Sequence, residues 1–271
     1  MTRLFLASCL NNIECTLKVK PPYVLESFYY LRKAPKDKGA TFMNYIKSNK
    51  CEMFLLDSGA FTYMSQVKNK GMQIDDVDFD KYVEDYAAFI NKYDVKYFFE
   101  LDVDVVIGLK EVERLREKLE RLTNKKCIPV FHKSRGLDYF YKMCKEYDYI
   151  ALGGLAIKDF SIAEKKNLNA FIKIAHEYNT RIHGLGYTNN DLITRNHFDT
   201  VDSTSWLSAR RFGGFYKFDN VNNRLISVKT PKNRRMAKGM YKQVDIYSMR
   251  EWLKFGRYLL KVNKRKIIGF D

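Results

Sequence analysis

Short apolar runs alternate with amphipathic stretches along most of this chain, and this alternation constrains its fold more than any other feature. Runs of four to six residues suit buried strands, whereas apolar residues repeated at spacings of three and four indicate helices with one buried face. The predicted strands are residues 4–7, 53–56, 97–101, 127–131, 149–152, 181–186 and 198–201, with an eighth at either 214–218 or 225–228.

Helical patterns fall between most of these runs. The predicted helices are residues 23–31, after the Pro21-Pro22 break, and 79–93, 109–122, 137–144 and 162–178. Strands that alternate with helices indicate parallel βα units, and seven or eight units in about 230 residues match a (β/α)₈ TIM-like barrel. A doubly wound open sheet is the alternative, but it would ordinarily show a glycine-rich nucleotide loop near the start, which is missing here.

The C-terminal part of the chain differs from the rest in charge. The net charge is +16, and from Lys217 onward 15 basic residues stand against four acidic ones. We therefore predict a catalytic barrel over residues 1–228 and a basic, mainly helical extension over 229–271 that packs on the barrel. Such an excess of positive charge favours a polyanionic partner, with a nucleic-acid surface near the C-terminus.

Two further features bear on the compartment. No apolar run approaches the roughly 20 residues that a membrane-spanning helix requires. The five cysteines are scattered, without a Cys-x-x-Cys pair, which is typical of reduced thiols. We expect a cytoplasmic protein.

Chemically useful residues follow the predicted strands where each one ends. Because the carboxyl ends of barrel strands converge on one pocket, we expect these residues to meet. Carboxylates there can act as nucleophile, acid or base, and glycines let the backbone approach a ligand closely. The strand-end residues are Asp57-Ser58-Gly59, Asp102, Asp104, His132, Gly153-Gly154, His183-Gly184-Leu185-Gly186 and Asp202.

Other interpretations of these residues stay open. Asp57, Asp102, His132 and His183 could be metal ligands, but no short ligand spacing supports this, and we predict no metal site. His183 could line the pocket or lie in the core. Asp104 is expected to be a solvated acid of a turn, and His176 a structural residue within a helix.

Four of these segments, in order, resemble motifs of the tRNA-guanine transglycosylase superfamily. Asp57-Ser58-Gly59-Ala60-Phe61 is similar to its Asp-Ser-Gly-Gly-Phe motif, and Gly153-Gly154-Leu155-Ala156 matches its Gly-Gly-Leu-Ala turn. Gly184-Leu185-Gly186 resembles its Gly-Val-Gly segment, and Asp202-Ser203 with Trp206 resembles the segment that carries its nucleophile. The agreement runs from about residue 4 to residue 216.

Two departures narrow the resemblance. The superfamily members that act on tRNA carry a Cys-x-Cys-x-x-Cys and His zinc site after the nucleophile, but here the last cysteine is Cys144 and the last histidine is His197. The chain is also short, and Ala60 replaces the second glycine of the first motif. Both features look more like the phage and bacterial branch that exchanges guanine in DNA for a 7-deazaguanine.

The resemblance implies a base exchange without a cofactor. Asp202 would attack C1′ and displace guanine, with Asp199 as a rival nucleophile, and Asp57 would be the acid/base. Asp102 would accept hydrogen bonds from the base. The residues expected to contact the base are Ser58, Gly59, Phe61, Asp102, His132, Gly153, Gly154, Leu155, His183 and Gly186.

The partner implied is DNA with a flipped or single-stranded guanine, together with a 7-deazaguanine base of the preQ0 type. Arg210, Arg211, Arg234, Arg235 and Lys238 are predicted to hold phosphates. A helper protein or a homodimer is left open. The alternatives are a zinc-free enzyme that acts on tRNA and a small-molecule barrel enzyme that binds phosphate at its glycine turns.

Overall fold

Eight parallel strands form the centre of the protein. The computed structural model describes residues 1–69, 77–155, 160–187, 189–211, 213–229 and 239–262. The strands of the main sheet, in chain order, are β1 Arg3–Ala7, β2 Tyr23–Ser27, β3 Met53–Asp57, β4 Tyr97–Phe98, β5 Val130–Phe131, β6 Tyr149–Leu152, β7 Arg181–Gly184 and β8 Thr200–Ser203.

The order of the strands curls the sheet into a barrel. Neighbours run β4-β3-β2-β1-β8-β7-β6-β5, and every pair is parallel. The two ends of this sheet meet at a parallel bridge between Phe99 and Ile128, where the Ile128 N–H donates to the Phe98 carbonyl over 2.8 Å. The predicted (β/α)₈ TIM-like fold is confirmed.

Helices cover the outside of the strands, and an amphipathic face accounts for each of the long ones. The helix over Leu109–Thr123, for example, buries Val112, Leu115 and Leu119 on one side. The helices are α1 Ile13–Val19, α2 Phe28–Leu31, α3 Lys36–Ile46, α4 Ala60–Asn69, α5 Phe79–Tyr93, α6 Asp104–Ile107, α7 Leu109–Thr123, α8 Leu137–Glu146, α9 Ile162–Lys166, α10 Asn169–Glu177, α11 Asn190–Arg195, α12 Ser208–Arg211 and α13 Tyr241–Val262.

The prediction of a helix over residues 23–31 was wrong, and the list of predicted strands therefore lacked one strand of the barrel. Residues Tyr23–Ser27 form β2, which pairs with β1 and β3, and only Phe28–Leu31 is helical. The apolar spacing of this stretch fits a short helix. Its backbone N–H and carbonyl groups instead form hydrogen bonds with the two neighbouring strands, which requires the extended conformation. Tertiary context thus overrides the local pattern.

The candidate eighth strands lie outside the barrel. Residues Gly214–Asp219 (β9) and Arg224–Lys229 (β10) pair with each other as an antiparallel hairpin. The barrel is already complete at β8. The helix predicted over 162–178 is also divided, because α9 ends at Lys166 and α10 begins at Asn169.

The last described helix packs on the hairpin and on the barrel. On α13, Ser248 and Glu251 accept the N–H groups of Tyr216 and Phe218, over 3.2 and 2.8 Å. Trp252 and Phe255 are fully buried and belong to the main core. A helix over Tyr241–Val262 agrees with the mainly helical C-terminal extension predicted from the sequence. No helix within the described ranges is long and apolar enough to span a membrane.

Two apolar layers hold the structure together. The larger layer lies between the strands and the helices, and a smaller one fills the inside of the barrel with residues such as Phe5, Leu55 and Val130. All five cysteines are free, as predicted, and Cys51 alone among them is not fully buried.

Candidate functional site

A cavity of about 360 Å³ opens at the carboxyl ends of the strands. This volume suits a ligand of the size of one nucleobase or a small metabolite. Most of the strand-end residues singled out in the sequence line it together. They are Asp57, Ser58, Gly59, Asp102, His132, Gly154, Leu185, Gly186 and Asp202.

Asp57 ends β3 and faces the cavity. Its carboxylate accepts the Gly59 N–H over 3.1 Å. Burial, reinforced by the nearby charges of Asp102 and Asp202, raises the pKa of Asp57 to about 7. A carboxyl group with this pKa exchanges protons near neutral pH, which is what a general acid and base requires.

The turn after Asp57 depends on a glycine. Gly59 has φ of +67°, and a Cβ at this position would lie 2.2 Å from the Ser27 hydroxyl oxygen and 2.5 Å from Tyr29 Cβ. Only glycine combines this backbone conformation with so close a neighbour. The turn therefore brings the end of β3 against the end of β2 and fixes the position of Asp57.

Asp202 lies on β8 and faces the same cavity. One oxygen, Oδ1, accepts the Gly186 N–H over 2.6 Å and lies 3.1 Å from His183 Nε2. A backbone N–H and a histidine nitrogen at the same carboxylate oxygen fix the orientation of the group. Asp202 thus presents a carboxyl group of fixed orientation to the cavity.

His183 does not line the cavity. It is fully buried inside the barrel, where its ring lies 5.3 Å from that of Phe99. Its Nδ1 lies 2.7 Å from Thr200 Oγ1, which is in turn 2.5 Å from the Tyr149 hydroxyl. His183 was expected among the base contacts, but its described polar contacts link Asp202 to this interior network.

The opposite wall of the cavity carries Asp102 and His132. His132 Nε2 is in hydrogen-bond contact with Asp102 Oδ1 and lies 3.9 Å from Asp104 Oδ1. Each of these three residues has one potential ligand atom that lies within 4.8 Å of those of the other two. This is the set of described residues that could hold a metal ion, and it differs from the set considered in the sequence.

Asp104 is not the solvated turn acid that was expected. Its side chain is only 5% exposed, and Oδ2 accepts a hydrogen bond from Arg135 Nε over 2.7 Å. Arg135 in turn contacts the fully buried Glu100 over 3.1 Å, and Arg116 contacts the same carboxylate over 3.0 Å. The side chain is buried because an arginine compensates its charge.

Gly153 makes room for His132. A Cβ on Gly153 would lie 2.8 Å from His132 Cε1 and 2.7 Å from Val130 Cγ1. Gly153 and Leu155, both expected to contact the base, do not line the cavity, whereas Gly154 between them does. Leu155 is buried in the main core. The glycine turn thus serves partly to position a histidine.

Asp199, the rival nucleophile, lies at the other end of the barrel. It precedes β8, and its Oδ2 accepts the Ile182 N–H over 2.8 Å and contacts His176 Nε2 at 2.9 Å. Asp199 is absent from the cavity wall. The structure therefore separates the two candidates, and Asp202 alone of this pair can reach a ligand there.

Sequence reasoning missed Glu26, since it assigned this residue to a helix. Glu26 lies near the end of β2 and lines the cavity, yet it is only 2% exposed. Its two oxygens accept the N–H groups of Leu10 and Ser27, over 2.7 and 3.1 Å, and burial raises its pKa to about 7. Reading β2 as a strand would have revealed this acid at a strand end.

Of the other predicted residues, the structure describes the side chains of Trp206 and Arg210 and not those of the rest. Trp206 is fully buried and donates to the Ala7 carbonyl over 2.9 Å, so it belongs to the core. Arg210 forms an ion pair with the buried Asp245 at 2.8 Å. Those outside the described residues or side chains are Phe61 and Arg211, whose backbones alone are described, and Arg234, Arg235 and Lys238.

Comparison with known proteins yields fold-level similarity only. No protein-family model and no curated protein matches this chain. Solved structures similar to it include an enolase protein from the environmental genome shotgun sequencing of the Sargasso Sea, which is 9% identical over 74% of this chain with a TM-score of 0.41. The matched region covers 52% of the enolase, so the chain spans about half its length.

A second similar structure matches over nearly the whole length of both chains. It is thiamine phosphate pyrophosphorylase from Pyrococcus furiosus, 10% identical over 95% of this chain and 96% of that one, with a TM-score of 0.47. The barrel assignment rests on the strand topology itself, and neither protein's activity transfers to this chain.

Proposed function

We propose that this protein is a barrel enzyme that exchanges a nucleobase through a covalent aspartyl intermediate. What supports the proposal is one observation: two carboxyl groups, Asp57 and Asp202, share a cavity but have opposite environments. Burial and neighbouring charges favour the protonated form of Asp57, whereas a backbone N–H and a histidine are directed at Asp202. Carboxyl pairs with divided roles are typical of enzymes that cleave glycosidic bonds with retention.

The reaction follows from these two roles. A carboxylate oxygen of Asp202 would attack C1′ of the nucleotide, and the bond from C1′ to N9 of guanine would break as Asp57 donates a proton to the leaving base. An incoming 7-deazaguanine would then give its N9 proton to Asp57, and N9 would displace Asp202 from C1′. Protons balance over the cycle, so no redox cofactor is needed.

The finer assignment, guanine exchange in DNA, draws on the motif resemblance and on charge. A net charge of +16 suits a polyanionic substrate. The acidic cavity wall, by contrast, suits the hydrogen-bond donors of a guanine edge and not a phosphate. We infer a flipped or single-stranded guanine, since a base within a duplex stack cannot reach the carboxylates inside this cavity.

Labelled guanine tests this proposal. The full-length protein is incubated with radiolabelled guanine and with double-stranded DNA, single-stranded DNA or tRNA. Incorporation into DNA is the expected result, and it should weaken as salt rises because phosphate contacts release counterions. Label that enters tRNA and not DNA would instead favour the zinc-free tRNA enzyme.

A covalent complex provides a second readout. Without an incoming base, wild-type protein and DNA should form a complex that survives denaturation, and Asp202→Asn should not form it. Asp57→Asn should slow the exchange by about 10²–10⁴-fold, which is the typical contribution of a general acid or base.

A small-molecule barrel enzyme is the second candidate, and the cavity volume favours it. A cavity of about 360 Å³ holds a small ligand as a whole, so this alternative takes a free nucleoside as its substrate. Turnover of free nucleosides or nucleotides, with no incorporation of guanine into either nucleic acid, would select this alternative.

A further inference from the structure

The wall formed by Asp102, Asp104 and His132 carries more convergent ligand atoms than the proposed base exchange uses. Asp102 and His132 line the cavity, and Asp104, which does not line it, lies 3.9 Å from His132. The nearest atoms, His132 Nε2, Asp102 Oδ1 and Asp104 Oδ1, belong to three groups that are all metal ligands in proteins.

One of these atoms lacks a partner. Asp104 Oδ1 is buried and accepts no hydrogen bond from any described residue, although the side chain is 95% buried from solvent. A buried carboxylate oxygen without a donor is unfavourable by several times the energy of an ordinary hydrogen bond. The oxygen points towards His132 Nε2, at 3.9 Å, so a cation placed between these atoms would satisfy it.

The spacing suits a divalent ion. Ligand atoms about 2.1 Å from a metal lie roughly 3 Å apart when adjacent and about 4.2 Å apart when opposite. One potential ligand atom from each residue lies within 4.8 Å of those of the other two, and His132 Nε2 lies 3.9 Å from Asp104 Oδ1. Small side-chain rotations therefore bring all three to coordination distance.

The surroundings resemble the outer shell of a metal site. Arg135 Nε holds Asp104 by Oδ2, which leaves Oδ1 free, and the buried Glu100 holds Arg135 in turn. Such outer-shell contacts orient first-shell ligands and are typical of metal sites. Because Asp102 and His132 face the cavity, the remaining coordination positions would open towards a ligand in it.

We propose that Asp102, Asp104 and His132 bind one divalent transition-metal ion at the wall of the cavity. One imidazole nitrogen with two carboxylate oxygens suits Mn²⁺, Fe²⁺, Co²⁺ or Zn²⁺ better than Ca²⁺ or Mg²⁺, which prefer oxygen alone. The ion would offset the repulsion among the acids of the cavity and bind an oxygen of the ligand. Metal binding can be tested separately from base exchange, but an ion held by Asp102 and His132 would replace the contacts that these two residues were expected to make with the base. The proposal also replaces the expectation of no metal site.

Metal binding to the chelator-treated full-length protein tests the proposal without any substrate. Titration with MnCl₂, with free Mn²⁺ followed by electron paramagnetic resonance, should give one bound ion per chain. Asp104→Asn and His132→Gln should each weaken binding at least about tenfold, since loss of even an outer-shell partner has that effect. Asp199→Asn is the matched control, because it removes a buried acid at the other end of the barrel, and the folded variant should bind like wild type.

CoCl₂ supplies a second readout. The visible absorption of bound Co²⁺ should change in His132→Gln, and circular dichroism with thermal unfolding in chelator checks that each variant is folded. Asp102→Asn, whose side chain is 23% exposed, serves if the Asp104 variant fails to fold. Absence of Mn²⁺ and Co²⁺ binding to wild type, or wild-type affinity in folded Asp102 or His132 variants, overturns the proposal. Base exchange could still be measured in either case.

Discussion

Asp199, the residue before β8, and Asp202, on β8, lie three residues apart and have nearly the same partners. Each accepts one backbone N–H, from Ile182 and Gly186 respectively, and each contacts the Nε2 atom of one histidine. Asp202 nevertheless faces the cavity at the carboxyl end of the barrel, whereas Asp199 closes the other end. Local chemistry is thus shared, and only the position along the strand separates a candidate nucleophile from a structural acid.

The largest difference should appear in activity. Asp202→Asn removes the proposed nucleophile and should lower base exchange by roughly 10⁴-fold or more, as expected for a residue that forms the covalent bond. Asp199→Asn should leave the rate per folded molecule near the wild-type value. Single-turnover incorporation of labelled guanine measures both. Equal losses in the two variants would remove the distinction between the ends of the barrel.

His183, beside Asp202, and His176, beside Asp199, allow the same comparison, with a smaller expected effect on the rate. His183 is a positioning residue, so His183→Ala should lower kcat by about 10–100-fold and leave KM nearly unchanged, because Asp202 would lose one of its two donors. His176→Ala, on α10, should change kcat little. The kcat and KM of each variant check this, and His183→Gln should restore part of the rate if hydrogen bonding is its role.

Asp199 should matter more to stability than Asp202, because an asparagine at position 202 also relieves the repulsion between Asp202 and Asp57. Asp199→Asn weakens one buried and one partly buried hydrogen bond and should lower the free energy of unfolding by about 1–3 kcal/mol. Urea unfolding at pH 7 measures the change, with His176→Ala as the companion variant that removes one partner only. A stability loss in Asp202→Asn larger than that in Asp199→Asn would reverse the assignment of roles.

The smallest expected effect concerns the pH dependence of stability at the cavity end. The pKa of Asp57 is raised to about 7 in the folded state, well above its unfolded value near 3.9, so the folded protein binds more protons between these values. Stability from this group is therefore complete below about pH 4 and is lost as pH rises through 7. Glu26, with a pKa also raised to about 7, adds the same trend.

Asp57→Asn should flatten this profile. At pH 8 the variant should be more stable than wild type by on the order of 2 kcal/mol, because the asparagine carries no buried charge. At pH 4 the two should differ little. Unfolding free energies from pH 4 to pH 8 measure this, and an unchanged slope would show that Asp57 titrates normally.

Much of this architecture follows from the sequence because it depends on local patterns. The helices at Phe79–Tyr93 and Leu109–Thr123 were predicted from their apolar spacing, and β3 and β6 from short buried runs that end in turn residues. β2 was missed, because an extended segment between two strands needs no period of its own. Glu26, which lies on β2 and lines the cavity, was missed for the same reason.

By itself, the sequence determined that strands and helices alternate and which polar residues follow each strand, because hydrophobic periodicity and turn residues are local properties. Only the tertiary structure decided which of those residues share one cavity. Closure of the barrel brings Asp57, Asp102 and Asp202 together from distant positions, turns His183 inward beneath Asp202, and buries Asp104 against Arg135. Burial and the charges of neighbours, which no linear pattern contains, then raise the pKa of Asp57.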